Sequence, residues 1–164
     1  MTVLKRYTGS DWEVVGCPQS GTTVPSCRVY RTTTQSINNN TATAIAFDAE
    51  RFDNDTMHST VSNTERITCT TAGVYVVSGS LYTSTTSSSG VRELYVRRNG
   101  TDYLCGVTFT GQNNAMFMNV GTIFKMAATD YFELVYYQSS GGSFTVASTA
   151  SYTPEFAAAK VGDG

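Results

Sequence analysis

Chemistry at neutral pH needs nucleophiles, acid–base groups or metal ligands, and this chain of 164 residues holds few of them. His58 is its only histidine, so any Ser/His or Cys/His nucleophile system must pass through it. It lies among acidic residues and hydroxyls in Asp-Thr-Met-His-Ser, where a structural hydrogen-bonding role is expected. Asp48, Glu50, Asp53 and Asp55 form the best cluster of hard oxygen ligands, and on a loop they would suit Ca²⁺. Turn capping by Asp and Asn explains the same residues without a metal. A glycosidase would need paired carboxylates converging across a cleft, which spacing on one loop does not establish. There is no Gly-x-Ser-x-Gly elbow, His-Glu-x-x-His, Cys-x-x-Cys or P-loop. An enzyme is therefore not expected, and no cofactor is called for; a wall-polymer hydrolase is the most remote reading.

Four cysteines, Cys17, Cys27, Cys69 and Cys105, are irregularly spaced, lack the closely spaced pairs of a zinc site and are expected as free thiols. The pair to watch is Cys17 with Cys27, whose loop a disulfide would close in oxidising surroundings. Most of the 10 Tyr, 8 Phe and 1 Trp must be core. Tyr82, Tyr103 and Tyr152 fall near loops or strand ends, where they could stack on a glycan or simply pack at the rim. A net charge of -2 and a pI near 5.3 give no general attraction to phosphate backbones, so nucleic acid is not an expected partner. The start lacks the apolar core of a signal peptide, and no run approaches a membrane helix, so neither export by that route nor membrane insertion is expected. Sequons at Asn39, Asn54 and Asn99 then mean little.

The elements that must position these residues are extended. Charged residues are 15% of the chain, and Ser with Thr make up about a quarter, a balance that favours strands over helices. Residues 1–16 read as a hairpin around Thr-Gly-Ser-Asp; too small to be stable alone, it would use Tyr7 and Trp12 to attach to another surface. Residues 17–27, with Pro18 and Pro25, read as a linker, and residues 28–164 as the main domain. Ten strands are predicted there, at about 27–32, 43–47, 66–70, 74–83, 91–98, 103–109, 115–125, 131–138, 143–148 and 155–161. That number at short spacing means an antiparallel sandwich or barrel. Asn99-Gly100 is the strongest hairpin signal, because a type I′ turn needs positive φ at both positions. The Ser/Thr-rich run at 83–90 is expected to be an exposed, mobile loop.

Periodicity adds a requirement. Val74 and Val76 oppose Tyr75, Val77 and Leu81; Phe132, Leu134 and Tyr136 oppose Tyr131, Val135 and Tyr137; Met116, Met118, Val120 and Phe124 oppose Phe117 and Ile123. Strands apolar on both faces need cover on both. With no helices to supply it, the expected cover is another copy of the chain, the alternative being tyrosines that simply line an exposed face. Val74, Tyr75, Val76, Val77, Phe117, Tyr136 and Phe156 are the residues expected at the interface or in the core beneath it.

Over about residues 28–161 the chain resembles the C1q-like globular domain, the jelly roll shared with the tumour necrosis factor family. The pieces that carry this are Ala-Ile-Ala-Phe-Asp48, Arg-Ile-Thr-Cys-Thr-Thr-Ala-Gly-Val-Tyr75, Leu-Tyr-Val-Arg-Arg-Asn-Gly100, Ala-Thr-Asp-Tyr-Phe-Glu-Leu134 and Glu-Phe-Ala-Ala-Ala159. Thr129 stands where the family usually carries Gly, and no collagen-like tract precedes the domain. The resemblance implies a ten-stranded jelly-roll sandwich that assembles as a homotrimer; some relatives bind Ca²⁺. The amino-terminal run Leu-Lys-Arg-Tyr-Thr-Gly-Ser-Asp-Trp-Glu-Val-Val-Gly, with Asp-Thr-Met-His-Ser and Asn-Thr-Glu-Arg-Ile-Thr, resembles small structural proteins of tailed bacteriophages, of the minor tail and fibre type. Together these imply a virion structural protein, assembled in the host cytoplasm and displayed on the particle surface, whose amino terminus docks on a capsid or tail protein. The alternative is a receptor-binding module for host-surface carbohydrate.

Overall fold

The computed structural model describes residues 5–14, 23–83, 89–111, 114–146, 148 and 153–164. β-Branched, hydroxyl-rich runs cut by Asn, Gly and Pro favour pleated structure, and every regular element among these residues is a strand. In chain order they are β1 (Lys5–Tyr7), β2 (Trp12–Val14), β3 (Ser26–Tyr30), β4 (Gln35–Ile37), β5 (Thr43–Ala44), β6 (Ala49–Asp53) and β7 (Arg66–Thr68). There follow β8 (Gly73–Thr83), β9 (Val91–Arg98), β10 (Asp102–Thr110), β11 (Met116–Met126), β12 (Tyr131–Gln138), β13 (Phe144–Val146) and β14 (Glu155–Gly162).

β1 and β2 make an antiparallel hairpin of their own, Tyr7 opposite Trp12. The turn at 8–11 has Gly9 at φ 97°, which glycine adopts freely, and the Thr8 amide donates to Asp11 O at 2.9 Å. The other strands build two antiparallel sheets. In one, the order is β10-β9-β12-β5, with β7 also pairing β12. In the other it is β4-β13-β8-β14-β3-β6, and β11 pairs β8 along its whole length, Met116 opposite Thr83 through Met126 opposite Gly73.

Among the described residues the two sheets thus hold twelve strands where ten were predicted. The two additional ones, β4 and β6, are short and polar: β6 is Ala-Glu-Arg-Phe-Asp at the edge of its sheet. Charged side chains on an edge strand block further pairing, and the same charges hide the strand from a hydrophobicity-based reading. The expected loop carrying Glu50 and Asp53 is therefore a strand. Asn99 and Gly100 have φ of 49° and 75°, and Thr101 N donates to Arg98 O at 3.1 Å, which is the type I′ turn their sequence requires. Of the 83–90 loop, residues 84–88 lie outside the described residues.

The core lies between the sheets. Tyr75, Val77 and Leu81 of β8 and Phe156 and Ala158 of β14 meet Leu94 and Val96 of β9 and Phe132, Leu134 and Tyr136 of β12, each at most 3% exposed. Phe47 stacks on Phe156 at 5.9 Å, and Tyr75 meets Phe132 edge-on at 6.4 Å. Gly79 faces inward from the middle of β8, where a Cβ would come within 2.4 Å of Leu134 Cδ1, so this close approach of backbone to core has no room for a side chain.

Candidate functional site

The groups with acid–base or ligand chemistry do not converge. Asp48 accepts the Thr32 amide at 2.6 Å and the Thr33 hydroxyl at 3.0 Å. Burial resists its ionisation, but these hydrogen bonds and nearby Arg31 outweigh burial and hold its carboxyl below the usual range. Asp53 caps a bend by accepting three backbone amides, from Asp55, Met57 and His58, at 2.8–3.1 Å. Asp55 takes the Thr70 hydroxyl. Glu50 Oε1 lies 2.9 Å from His58 Nδ1, and His58 Nε2 lies 3.1 Å from Thr64 O, so the buried imidazole has both nitrogens committed. Among the described residues no three His, Cys, Asp or Glu side chains are placed to hold a metal. The Ca²⁺ candidates Asp48, Glu50, Asp53 and Asp55 are each engaged in local hydrogen bonds, the last three linked through His58 and the Asp55 amide.

Cys27 and Cys69 are fully buried free thiols; desolvation, helped by nearby carboxylates, pushes both up to about 12. Cys105 is also free, and Cys17, the expected partner of Cys27, lies outside the described residues.

The outward faces of the two sheets differ. On the five-stranded sheet, the second apolar face of β12 is covered by the chain itself. The Arg97 guanidinium pairs with Glu133 at 2.9 Å, the Arg66 guanidinium lies 4.2 Å over the Tyr131 ring, and Val135 is fully buried. A second copy is not needed there, contrary to expectation. On the seven-stranded sheet the outward row stays open among the described residues: Val76 is 39% exposed, Phe52 45%, Phe117 56% and Ile123 64%. Ile123 sits directly opposite Val76, and Phe117 opposite Tyr82 with ring centroids 4.9 Å apart. Between these larger side chains lie Ser78, Ala157 and Ala159, lining a shallow hollow of about 90 Å³ beside Phe52 and Val76. At the flank, Glu155 accepts from both Arg28 and Arg51, and Lys125 donates to Gly164 O.

The residues singled out for assembly therefore divide. Val74, Val76 and Phe117 point outward from the seven-stranded sheet, whereas Tyr75, Val77, Tyr136 and Phe156 are core residues no more than 1% exposed and cannot touch another subunit. Phe52 and Ile123 belong to the outward patch. Ile123 was legible from the alternation in β11; Phe52 sits in a strand that charge concealed. The tyrosines considered for glycan contact also separate. Tyr82 packs on Phe117 in the apolar patch, Tyr103 lines a groove on the other sheet, and Tyr152 lies outside the described residues. In the hairpin Tyr7 is 56% exposed and its hydroxyl donates to Gly9 O; the Trp12 side chain lies outside the described residues.

No protein-family model matches the sequence, and no curated protein matches it. Solved structures do share its fold. The globular domain of zebrafish complement 1qA protein is 15% identical, with 85% of this chain and 98% of that one covered and a TM-score of 0.61. Murine APRIL at pH 5.0 is 8% identical over 85% of this chain and all of its own, with a TM-score of 0.64, and the pH 8.0 structure gives 0.63. At such identities the likeness establishes architecture: the chain is an antiparallel jelly roll of the C1q and tumour necrosis factor type.

Proposed function

We propose that the chain is a bacteriophage virion structural protein, a homotrimeric jelly-roll head displayed on the particle surface as a fibre, decoration or minor tail protein. The observation that carries the assembly is the uncovered apolar row on the seven-stranded sheet, Phe52, Val76, Phe117 and Ile123, set around small residues that allow a neighbour to approach. On the other sheet the outward side chains of β12 are covered by Arg66 and Arg97, so the row of exposed apolar side chains on paired strands is the seven-stranded sheet's own. A heterologous contact between copies closes into a ring when its rotation permits, and three copies around one axis would bury each patch.

In this reading the hairpin within residues 1–16 docks the head to a capsid or tail protein across the linker at 17–27, after assembly in the host cytoplasm. The phage-like amino-terminal run supports it, as does the hairpin's folding into a separate two-stranded sheet. Deleting residues 1–22, which precede β3 and the Lys160 N to Pro25 O bond, tests the docking role. The truncated chain should keep its oligomeric mass and be lost from particles; full incorporation without the hairpin would refute it.

A second reading, a receptor-binding module for host-surface carbohydrate, is favoured by the tyrosine-lined groove on the opposite sheet, which trimerisation through the apolar face would leave open. The hydrolase reading gains nothing from the structure, since His58 is buried with both nitrogens engaged.

A further inference from the structure

The groove spans β9, β10 and β12 and is walled by the loop at 38–42, with a volume of about 750 Å³. Its size falls within the usual range for small-molecule sites, roughly 300–1,000 Å³. Gly106 lines it in register with Tyr95, and a Cβ there would stand 3.0 Å from Tyr95 Cβ, so the groove runs over bare backbone beside a Tyr95 that is itself only 9% exposed. Tyr103 rises beside it, 62% exposed, with its ring 4.6 Å from that of Tyr95 at 74°. The Tyr103 ring packs edge-on against Tyr95 and sits in register with Arg97, which Glu133 holds at 2.9 Å. An exposed ring already packed against a neighbour loses less freedom than a free one when a ligand covers it.

The polar groups around these rings are of one kind. Glu93 and Tyr137 face each other across β9 and β12, and Glu93 and Thr108 across β9 and β10. The Tyr137 hydroxyl donates to Asn40 Oδ1 at 3.2 Å, which leaves the Asn40 amide nitrogen to donate elsewhere. Among the described residues no Lys or Arg lines the groove, and the neighbouring Arg97 is paired with Glu133, so phosphate, sulfate and nucleic acid find no free counter-charge there. Carboxylate, amide and hydroxyl groups beside aromatic rings complement a ligand with apolar C–H faces and a rim of hydroxyls.

We infer that this groove is a binding site for a neutral saccharide, with Tyr103 stacking on a sugar ring and Glu93, Asn40 and Thr108 bonding its hydroxyls. The inference rests on the second reading above and gives it a location. Three copies in a trimer would present three such sites away from the assembly face, so a polymer repeating the same sugar would be held by avidity.

The test is saturation-transfer NMR on the full-length protein with maltotriose, chitotriose, lactose and rhamnose as probes, repeated for Tyr103→Ala and Glu93→Gln. At least one probe should bind, and Tyr103→Ala should weaken it about tenfold, which corresponds to roughly 1.4 kcal/mol, with the far-UV circular dichroism unchanged. Glu93→Gln, which keeps the shape, should weaken the same probe. Binding that neither substitution alters would overturn this site and leave the receptor-binding reading standing at another. No binding by any probe would overturn both. The bound sugar coupled to beads distinguishes its source: capture of the trimer more tightly than by free sugar fits a surface polymer, and equal affinity would refute the avidity.

Discussion

Replacing Ile123 with aspartate should dissolve the assembly while leaving the fold intact. In the single chain Ile123 is 64% exposed on the outward side of β11, so a carboxylate there remains in water. The cost to the monomer is then limited to lost β-propensity and cross-strand contact with Val76, up to about 1 kcal/mol. In the assembled state the same position is covered. Loss of apolar burial over the exposed part of the side chain removes about 1–2 kcal/mol, and drying the carboxylate adds several more. Taking roughly 4 kcal/mol per copy, three copies lose roughly 12 kcal/mol, which at 1.4 kcal/mol per decade is some eight decades in the trimer dissociation constant. Light scattering at micromolar concentration should therefore fall from three times the 17.7 kDa chain mass to one. Far-UV circular dichroism should not change. Thr108→Asp, on the exposed outward side of the other sheet, should stay trimeric. A trimeric Ile123→Asp, or an unfolded one, would refute the assignment of this face.

Other outcomes follow from the same structure. Thr129 has φ of 75°, which strains a β-branched residue, so Thr129→Gly should raise unfolding stability by about 1 kcal/mol in urea titration. His58→Ala should cost roughly 2–4 kcal/mol in the same assay, since it empties a buried site and removes the hydrogen bonds to Glu50 and Thr64 O. Burial resists ionisation of Glu155, but Arg51 and Arg28 outweigh it, and the Asn99 side chain is the main cause lowering Asp130. Both groups are more acidic folded than unfolded. Their stabilisation is complete above the ordinary carboxylate range and is lost as pH falls through their folded values, so the urea midpoint should drop below about pH 4. At the alkaline end Cys27 and Cys69 stay protonated to about 12 in the fold and ionise from 9.0 once exposed. Stability should therefore decline above pH 9, by up to about 1.4 kcal/mol per pH unit for each thiol.

The sheet-forming elements were legible wherever apolar alternation was strong. Residues 91–98 and 131–138 were placed to the residue, and Asn99-Gly100 announced its turn through the backbone angles only such residues adopt. β6 was not legible because three of its five side chains are charged, and a strand paired at one edge needs little hydrophobicity. The partner of an apolar face was also beyond one-dimensional reading. The outward row of β12 looked like that of β8, yet Arg66 and Arg97 arrive from neighbouring strands to cover the first, while among the described residues the second stays open. The groove was half legible: Tyr103 stood out, whereas Asn40, Glu93 and Gly106 are joined to it only by strand register.

The central claim is that the uncovered face of the seven-stranded sheet joins copies of this chain, and the mass of the full-length protein in solution tests it most directly. Light scattering across a dilution series should give three times 17.7 kDa down to micromolar concentration. A folded monomer throughout that range would contradict it.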